Sequence, residues 1–212
     1  MPEVYILREG DLQVRADNTI FAPATVTLVK YNPLDSEEDR YLLVDAGGLD
    51  DTVKDLDYWL SSVGITHEDI HDVILTHNHP DHTGLVRFIG GKKGAIIHGP
   101  DSTYPNRNVL YSERTPEGQF GIDVYLLDTP GHESSLDRSV FVGTGKGRVA
   151  IVGDLMLNQK EFTSVKDFSQ WSPENENATR LSRLHIHSEL PDIYEIVPGH
   201  GPSFNPMDIL KR

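Results

Sequence analysis

Apolar and polar positions alternate over Val4 to Leu7, Gln13 to Arg15 and Thr25 to Tyr31, which predicts strands of a meander punctuated at Asn18 and Pro23. The polar stretch from Asn32 to Arg40 predicts a hairpin loop. Tyr41-Leu42-Leu43-Val44-Asp45 then predicts a buried strand ended by the Gly47-Gly48 turn. From Asp51 the period changes: Val53, Leu56, Leu60 and Val63 recur at helical spacing, with Gly64 as the stop. Asp72 to Thr76 predicts a second buried strand, Thr83 to Ile89 a short helix and Ala95 to His98 another strand. The alternation resumes with strands over Ile122 to Leu127, Ser139 to Thr144 and Val149 to Val152. A helix over Asn177 to Glu189 precedes Pro191, and Ile193 to Val197 is the closing strand. Many short strands with a few amphipathic helices predict two packed sheets with helices on both outer faces, an αββα sandwich of the α/β class. No repeat or linker divides the chain, so residues 1–212 are expected to form a single domain.

Composition narrows the function classes. A charged fraction of 25% and a hydrophobic fraction of 37% are those of an ordinary globular protein. No apolar run approaches the roughly 18 to 20 residues of a membrane span, and the N-terminus alternates and carries charge, unlike a signal peptide. With no cysteine, the chain has no disulfide, and any metal site must use His and carboxylate. An intracellular, cytoplasmic location away from membranes is the expectation. The formal net charge of −14 opposes a general electrostatic grip on phosphate backbones. Divalent cations would reverse that sign locally, so the charge does not exclude nucleic acid.

The candidate chemistry sits in Thr76-His77-Asn78-His79-Pro80-Asp81-His82, directly after an apolar strand. Alternate residues of an extended segment face the same way, so His77 and His79 can converge on one ion. Asp81 and His82 lie where the chain turns into the next helix and can address a second site beside the first. Pro80 stiffens that turn. Three more apolar strands end in a single ligand-type residue: Leu126 to Gly131 delivers His132, Val149 to Gly153 delivers Asp154, and Ile196 to Gly199 delivers His200. A rigid scaffold presents side chains to a cleft at such positions. Gly131 and Gly199 suit places where backbone must pass close to a metal.

In ligand types, order and context, these motifs resemble the metallo-β-lactamase fold superfamily from about Ala24 to Pro202. The resemblance implies the metallo-β-lactamase fold and two divalent metal ions. It implies that His77, His79 and His132 bind one ion, that Asp81, His82 and His200 bind the other, and that Asp154 bridges them. Zinc leads as the metal, although an all-nitrogen and oxygen set also suits manganese or iron. Asp45 and Asp72 would orient the ligands or their loop. The implied activity is hydrolysis by metal-activated water, with Asp81 as general base.

A narrower resemblance, to the family of metallo-β-lactamase domain-containing protein 1, rests on Asp45-Ala46-Gly47-Gly48, Asp167 to Trp171, the Arg180/Arg183 helix and Ile196 to Phe204. It implies an endoribonuclease acting on histone pre-mRNA 3′ ends and a homodimer of cytosol and nucleus. Arg87, Lys92, Lys93, Arg107 and Arg114 could form a phosphate-binding rim, although an ordinary solvated face is the weightier reading, and Tyr104, Tyr111 and Trp171 could stack on bases or wall a pocket, each equally plausible as packing. His98 is expected in a strand near the cleft, and His185 and His187 on a helix surface. Two alternatives stand beside RNA cleavage. One is a thioesterase or small-ester hydrolase of the glyoxalase II type; the other is a non-catalytic protein that keeps metal for stability.

Overall fold

Twelve buried side chains contributed by two sheets meet face to face in the middle of the molecule: Val29, Tyr31, Leu42, Val44 and Ile74 against Val124, Leu126, Val140, Val142, Val149, Ile151 and Val197. The structure, a computed structural model, describes residues 1–89, 94–104, 113–133, 135–163 and 173–211. In chain order the strands are β1 (Glu3–Arg8), β2 (Gln13–Val14), β3 (Ile20–Phe21), β4 (Val26–Tyr31), β5 (Arg40–Val44), β6 (Asp72–Ile74), β7 (Ile96–His98), β8 (Thr103–Tyr104), β9 (Gly118–Gly121), β10 (Val124–Asp128), β11 (Arg138–Thr144), β12 (Gly147–Gly153) and β13 (Ile193–Pro198). The helices are α1 (Val53–Ser61), α2 (Pro80–Thr83), α3 (Gln159–Thr163), α4 (Pro173–Ser188) and α5 (Pro206–Leu210).

The first sheet has the order β1-β4-β5-β6-β7-β8 and the second β13-β12-β11-β10-β9; β2 and β3 pair as a separate hairpin. The period-two pattern sorts each strand between two cores. In β4, Val29 and Tyr31 face the other sheet while Val26 and Leu28 pack outward with Leu56 and Leu60 of α1. In β12, Val149 and Ile151 face inward while Ala150 and Val152 pack with Ile186 of α4. Helices therefore cover both outer faces, and the predicted αββα sandwich is the observed one.

Local signals account for most boundaries. Thr52 caps α1 through a reciprocal box with Asp55, and Gly64 (φ 79°) follows its end. The helix expected over Thr83 to Ile89 instead starts at Pro80 and is only one turn long, with a 3₁₀ turn over Val86–Phe88. Proline lacks the N–H that a first helical residue has no use for, so the chain enters the helix there. The pairs β5·β6, β6·β7 and β12·β13 are parallel. Parallel pairing sends the carboxyl ends of several strands to one edge of the sandwich, where open α/β sheets place their ligands. Among the described residues no helix is long and apolar enough to cross a membrane.

Candidate metal centre

The ligand-type residues leave the strands at that shared edge. Asp45 follows β5, Thr76 and His77 follow β6, His132 follows β10, Asp154 follows β12, and His200 follows β13. Asp81 and His82 stand on α2, whose backbone is docked on the turn after β5: Ala46 N donates to His82 O and Gly84 N to Gly47 O, both at 2.7 Å. His77, His79, His132 and Asp154 offer donor atoms within 4.8 Å of one another, and Asp81, His82 and His200 form a second such group.

One carboxylate joins the two groups. Asp154 Oδ2 lies 3.2 Å from His132 Nε2, 3.8 Å from His77 Nε2 and 3.3 Å from His200 Nε2, while Oδ1 lies 3.2 Å from His82 Nε2. Asp81 Oδ2 is 3.3 Å from His200 Nε2 and 3.7 Å from His82 Nε2. All seven sequence-nominated donors therefore converge.

Outer contacts choose which nitrogen faces inward. Thr76 Oγ1 donates to Asp45 Oδ2 at 2.8 Å, so its lone pair is left to accept from His77 Nδ1 at 3.0 Å. His82 Nδ1 donates to Asp45 Oδ2 at 2.7 Å, and His200 Nδ1 to Pro23 O at 3.2 Å. With each Nδ1 engaged, the Nε2 of these three rings is the one aimed at Asp154. Asp45 adopts φ 58°, uncommon away from glycine, and its contacts to Thr76 N, Thr76 Oγ1 and His82 hold it there.

The donor set fits cations better than it fits itself. His77 Nε2, His82 Nε2 and Asp154 Oδ1 are buried with no well-formed hydrogen-bond partner, although His82 Nε2 and Asp154 Oδ1 approach to 3.2 Å. Buried orphan donors facing one point are the arrangement that a cation completes. Burial and the neighbouring His82 drive the His77 pKa down to about 2, and burial lowers that of His132. Burial works the same way on His82, but Asp45 and Asp154 prevail and hold its pKa well above the usual value. Burial likewise opposes His200, whose hydrogen bond and attraction to Asp154 raise it. Against its own burial, Asp154 is held well below the ordinary carboxylate range by His82 and His200. The cluster thus pairs the neutral imidazoles of His77 and His132 with an ionised Asp154, while His82 and His200 hold their protons more tightly and must give them up before they can bind metal.

Glycines make room for this crowding. A Cβ on Gly199 would overlap Asp154 Oδ1, and one on Gly131 (φ 140°) would overlap Thr179.

The superfamily profile described as "Metallo-beta-lactamase superfamily" matches residues 21–200. The chain belongs to the metallo-β-lactamase superfamily. Metallo-β-lactamase domain-containing protein 1 of Xenopus laevis is 30% identical over 211 residues, covering 95% of this chain and 80% of that one. Its Homo sapiens counterpart is 32% identical over 149 residues, 68% of this chain and 52% of its own, so the chain spans about half the human protein. A hydroxyacylglutathione hydrolase of Pseudomonas fluorescens is 28% identical over 124 residues, 58% of this chain and 44% of that one. Among solved structures, a quorum-quenching N-acyl homoserine lactone hydrolase superposes with a TM-score of 0.67 at 20% identity, over 93% of this chain and 91% of its own. At that identity the likeness concerns the metallo-β-lactamase fold alone.

Other expectations met different fates. Asp45 hydrogen-bonds to the nominated His82 and to Thr76 beside the nominated His77, but Asp72 touches none of the nominated residues. It sits at the opposite end of β6, where it accepts from Tyr31 Oη at 2.7 Å and from His98 Nε2 at 3.0 Å. His98 is thereby a buried packing residue, with Nδ1 2.8 Å from Thr115 Oγ1. His187 is not a free surface group, since it stacks on Phe162 at 4.6 Å. Arg114 forms a bidentate pair with Asp128 at 2.6 and 2.8 Å, and Arg87 lies over Phe88 at 4.6 Å. Lys92, Lys93, Arg107, Tyr111, Asp167 to Trp171 and the Tyr104 side chain lie outside the described residues.

Sequence reasoning predicted the strand at Gln13 to Arg15 but missed its partner Ile20–Phe21 and the hairpin they form beside the centre. Val14 (72% exposed), Ile20 (68%) and Phe21 (41%) present apolar side chains to solvent. The hairpin's base is tied to the centre through Pro23 O, which meets His200 Nδ1, and through Thr25 N, which donates to Gly199 O at 2.7 Å. Solvent-facing Val, Ile and Phe on so short a hairpin were the available signal.

Proposed function

We propose that this chain is a binuclear metal-dependent hydrolase. The observation that carries the reading is the buried Asp154 carboxylate shared between two donor groups, with Nε2 of four imidazoles within 3.8 Å of it. His77, His79 and His132 would hold one divalent ion and Asp81, His82 and His200 the other, with Asp154 contributing an oxygen to each. Two zinc ions suit this set, as do iron or manganese. Bound ions of this kind supply Lewis acidity and lower the pKa of water from 15.7 to about 7.

The chain's own residues do the rest. Asp45, Thr76 and Pro23 fix the rings so that their inward nitrogens need not reorganise during reaction. Asp81 is the most open carboxylate of the centre, with its side chain 31% exposed, and its Oδ2 can take the proton that the nucleophile gives up. A structural zinc site closes with four ligands, and seven convergent donors with one open to solvent argue against a purely stabilising role.

The substrate has two readings. Kinship with metallo-β-lactamase domain-containing protein 1 supports an RNA phosphodiester. The apolar hairpin rooted beside His200 supports an ester or thioester with an apolar group. The net charge of −14 and the engagement of Arg114 with Asp128 also weigh toward the second. Metal analysis of the purified protein and one substrate panel separate them. The panel comprises a thioester, a β-lactam and single-stranded RNA, each with wild type and Asp81→Asn. RNA cleavage lost in the variant, with thioester untouched, selects the phosphodiester; thioester turnover with RNA intact selects the other. Full metal content with no turnover on any of them defeats the hydrolase reading in favour of a metal-stabilised binding protein.

A further inference from the structure

We propose that Glu133 is a positioning residue that locks together the two loops carrying His77, His79 and His132, an inference resting on the metal-dependent reading above. The loops belong to different sheets: one follows β6 and the other follows β10. Asn78 N, the amide between the two nominated ligands of the first loop, donates to Glu133 Oε2 at 2.7 Å. Glu133 is held in turn, its own N donating to Asp137 Oδ2 at 2.8 Å. Asp137 closes the second loop by accepting from Thr129 N through its backbone oxygen, also at 2.8 Å. A continuous hydrogen-bonded path therefore runs from the start of β11 through Asp137 and Glu133 to Asn78.

The other side of His77 is pinned separately, since Thr76 O accepts from Arg138 N at 3.0 Å and Thr76 N donates to Asp45 at 2.8 Å. His77 thus lies between two anchored residues, Thr76 tied to both sheets and Asn78 to the second, and His79 lies one residue beyond Asn78. A carboxylate accepting a backbone N–H makes a charge-assisted bond, stronger than a neutral one. Ordering two loops before an ion arrives lowers the entropy lost on binding.

The test uses the full chain as wild type, Glu133→Ala and Glu133→Gln. Zinc affinity is read by competition with a chromophoric chelator, the cobalt(II) d–d spectrum reports geometry, and metal-free thermal unfolding controls for folding. Glu133→Ala should bind one of its two ions about 10- to 100-fold more weakly and alter the cobalt band, while the metal-free protein still unfolds in one cooperative transition. Glu133→Gln keeps an acceptor oxygen for Asn78 and should restore affinity to within about threefold. Wild-type affinity and spectrum in Glu133→Ala would overturn the positioning role while leaving the hydrolase reading intact. Equal loss in both variants would overturn it too, since charge or direct ligation would then be responsible. Wild type that takes up no metal would overturn both.

Discussion

Asp45 Oδ2 accepts from His82 Nδ1 at 2.7 Å, and the same carboxylate receives the amide and hydroxyl of Thr76, the residue before His77. One side chain thus sets the orientation of a nominated ligand in each group. Asparagine tolerates the left-handed backbone at this position, so Asp45→Asn changes the acceptor and leaves φ unstrained. The variant should lower metal affinity about 10- to 100-fold. Chelator competition reads the change, and an affinity equal to wild type would remove Asp45 from the centre's design.

Metal uptake should release protons near pH 7. His82 has a pKa held well above its ordinary value, so in the metal-free protein it carries a proton at neutral pH; the raised His200 contributes in the same direction. His77, pushed down to about 2, and His132, also lowered, are already neutral and contribute none. Affinity should therefore fall as pH drops, because protons then compete for His82 and His200. Calorimetric titrations in buffers of different ionisation enthalpy measure the release; identical heats in all buffers would contradict it.

Gly199→Ala should empty the centre. Its new Cβ would overlap Asp154 Oδ1 and lie 3.0 Å from Asp154 Cγ and from the Gly153 carbonyl carbon. Overpacking of this kind costs about 1 to 3 kcal/mol, and here the carboxylate shared by both groups must move. Gly145→Ala is the control, because the nearest atom to its Cβ is Met1 Sδ at 3.5 Å. Urea midpoints and metal stoichiometry of the two variants decide the matter.

Arg183 and Glu161 clamp the loop that follows Asp154. Arg183 Nε donates to Leu155 O at 2.7 Å and Nη2 to Glu161 Oε2 at 2.6 Å, while Leu157 N donates to that same oxygen at 2.9 Å. His200 N in turn donates to Leu157 O at 2.8 Å, so the clamp reaches both strand ends. Arg183→Leu leaves the part-buried Glu161 carboxylate, 15% exposed, without its cation and should cost about 1.5 to 3 kcal/mol. Denaturant unfolding gives the number; a loss below about 1 kcal/mol would mean the pair is solvated.

The hairpin offers a kinetic test. Val14→Ser combined with Ile20→Ser removes exposed apolar surface, so stability should change by less than about 0.5 kcal/mol. If an ester or thioester with an apolar group is the substrate, KM should rise about tenfold with kcat unchanged, which corresponds to about 1.4 kcal/mol of binding. An unchanged KM would remove the hairpin from substrate recognition.

Strands and nominated ligands were legible because both are local. A strand that faces two cores reads as a continuous apolar run, and His132, Asp154 and His200 each stand directly beyond one. Short elements such as β8, β9, α3 and α5 escaped notice, being too brief for any period to emerge. The one-turn α2 was misplaced because its start depends on Pro80 and its end on docking against the Gly47-Gly48 turn.

What the sequence alone determined was the order and chemical type of the donors and the alternation of short strands with amphipathic helices, since these follow from side-chain period and from residues adjacent in the chain; how the strands order into two sheets was left to the tertiary structure. Only the tertiary structure decided which second-row groups serve the centre. It separated Asp45 from Asp72, turned Arg114 into a partner of Asp128, and brought Glu133 to Asn78. These are hydrogen bonds between residues distant in sequence, and a hydrogen bond leaves no periodic trace in the chain: its existence depends on where two sheets, packed by their apolar faces, happen to bring an acceptor within about 3 Å of a donor.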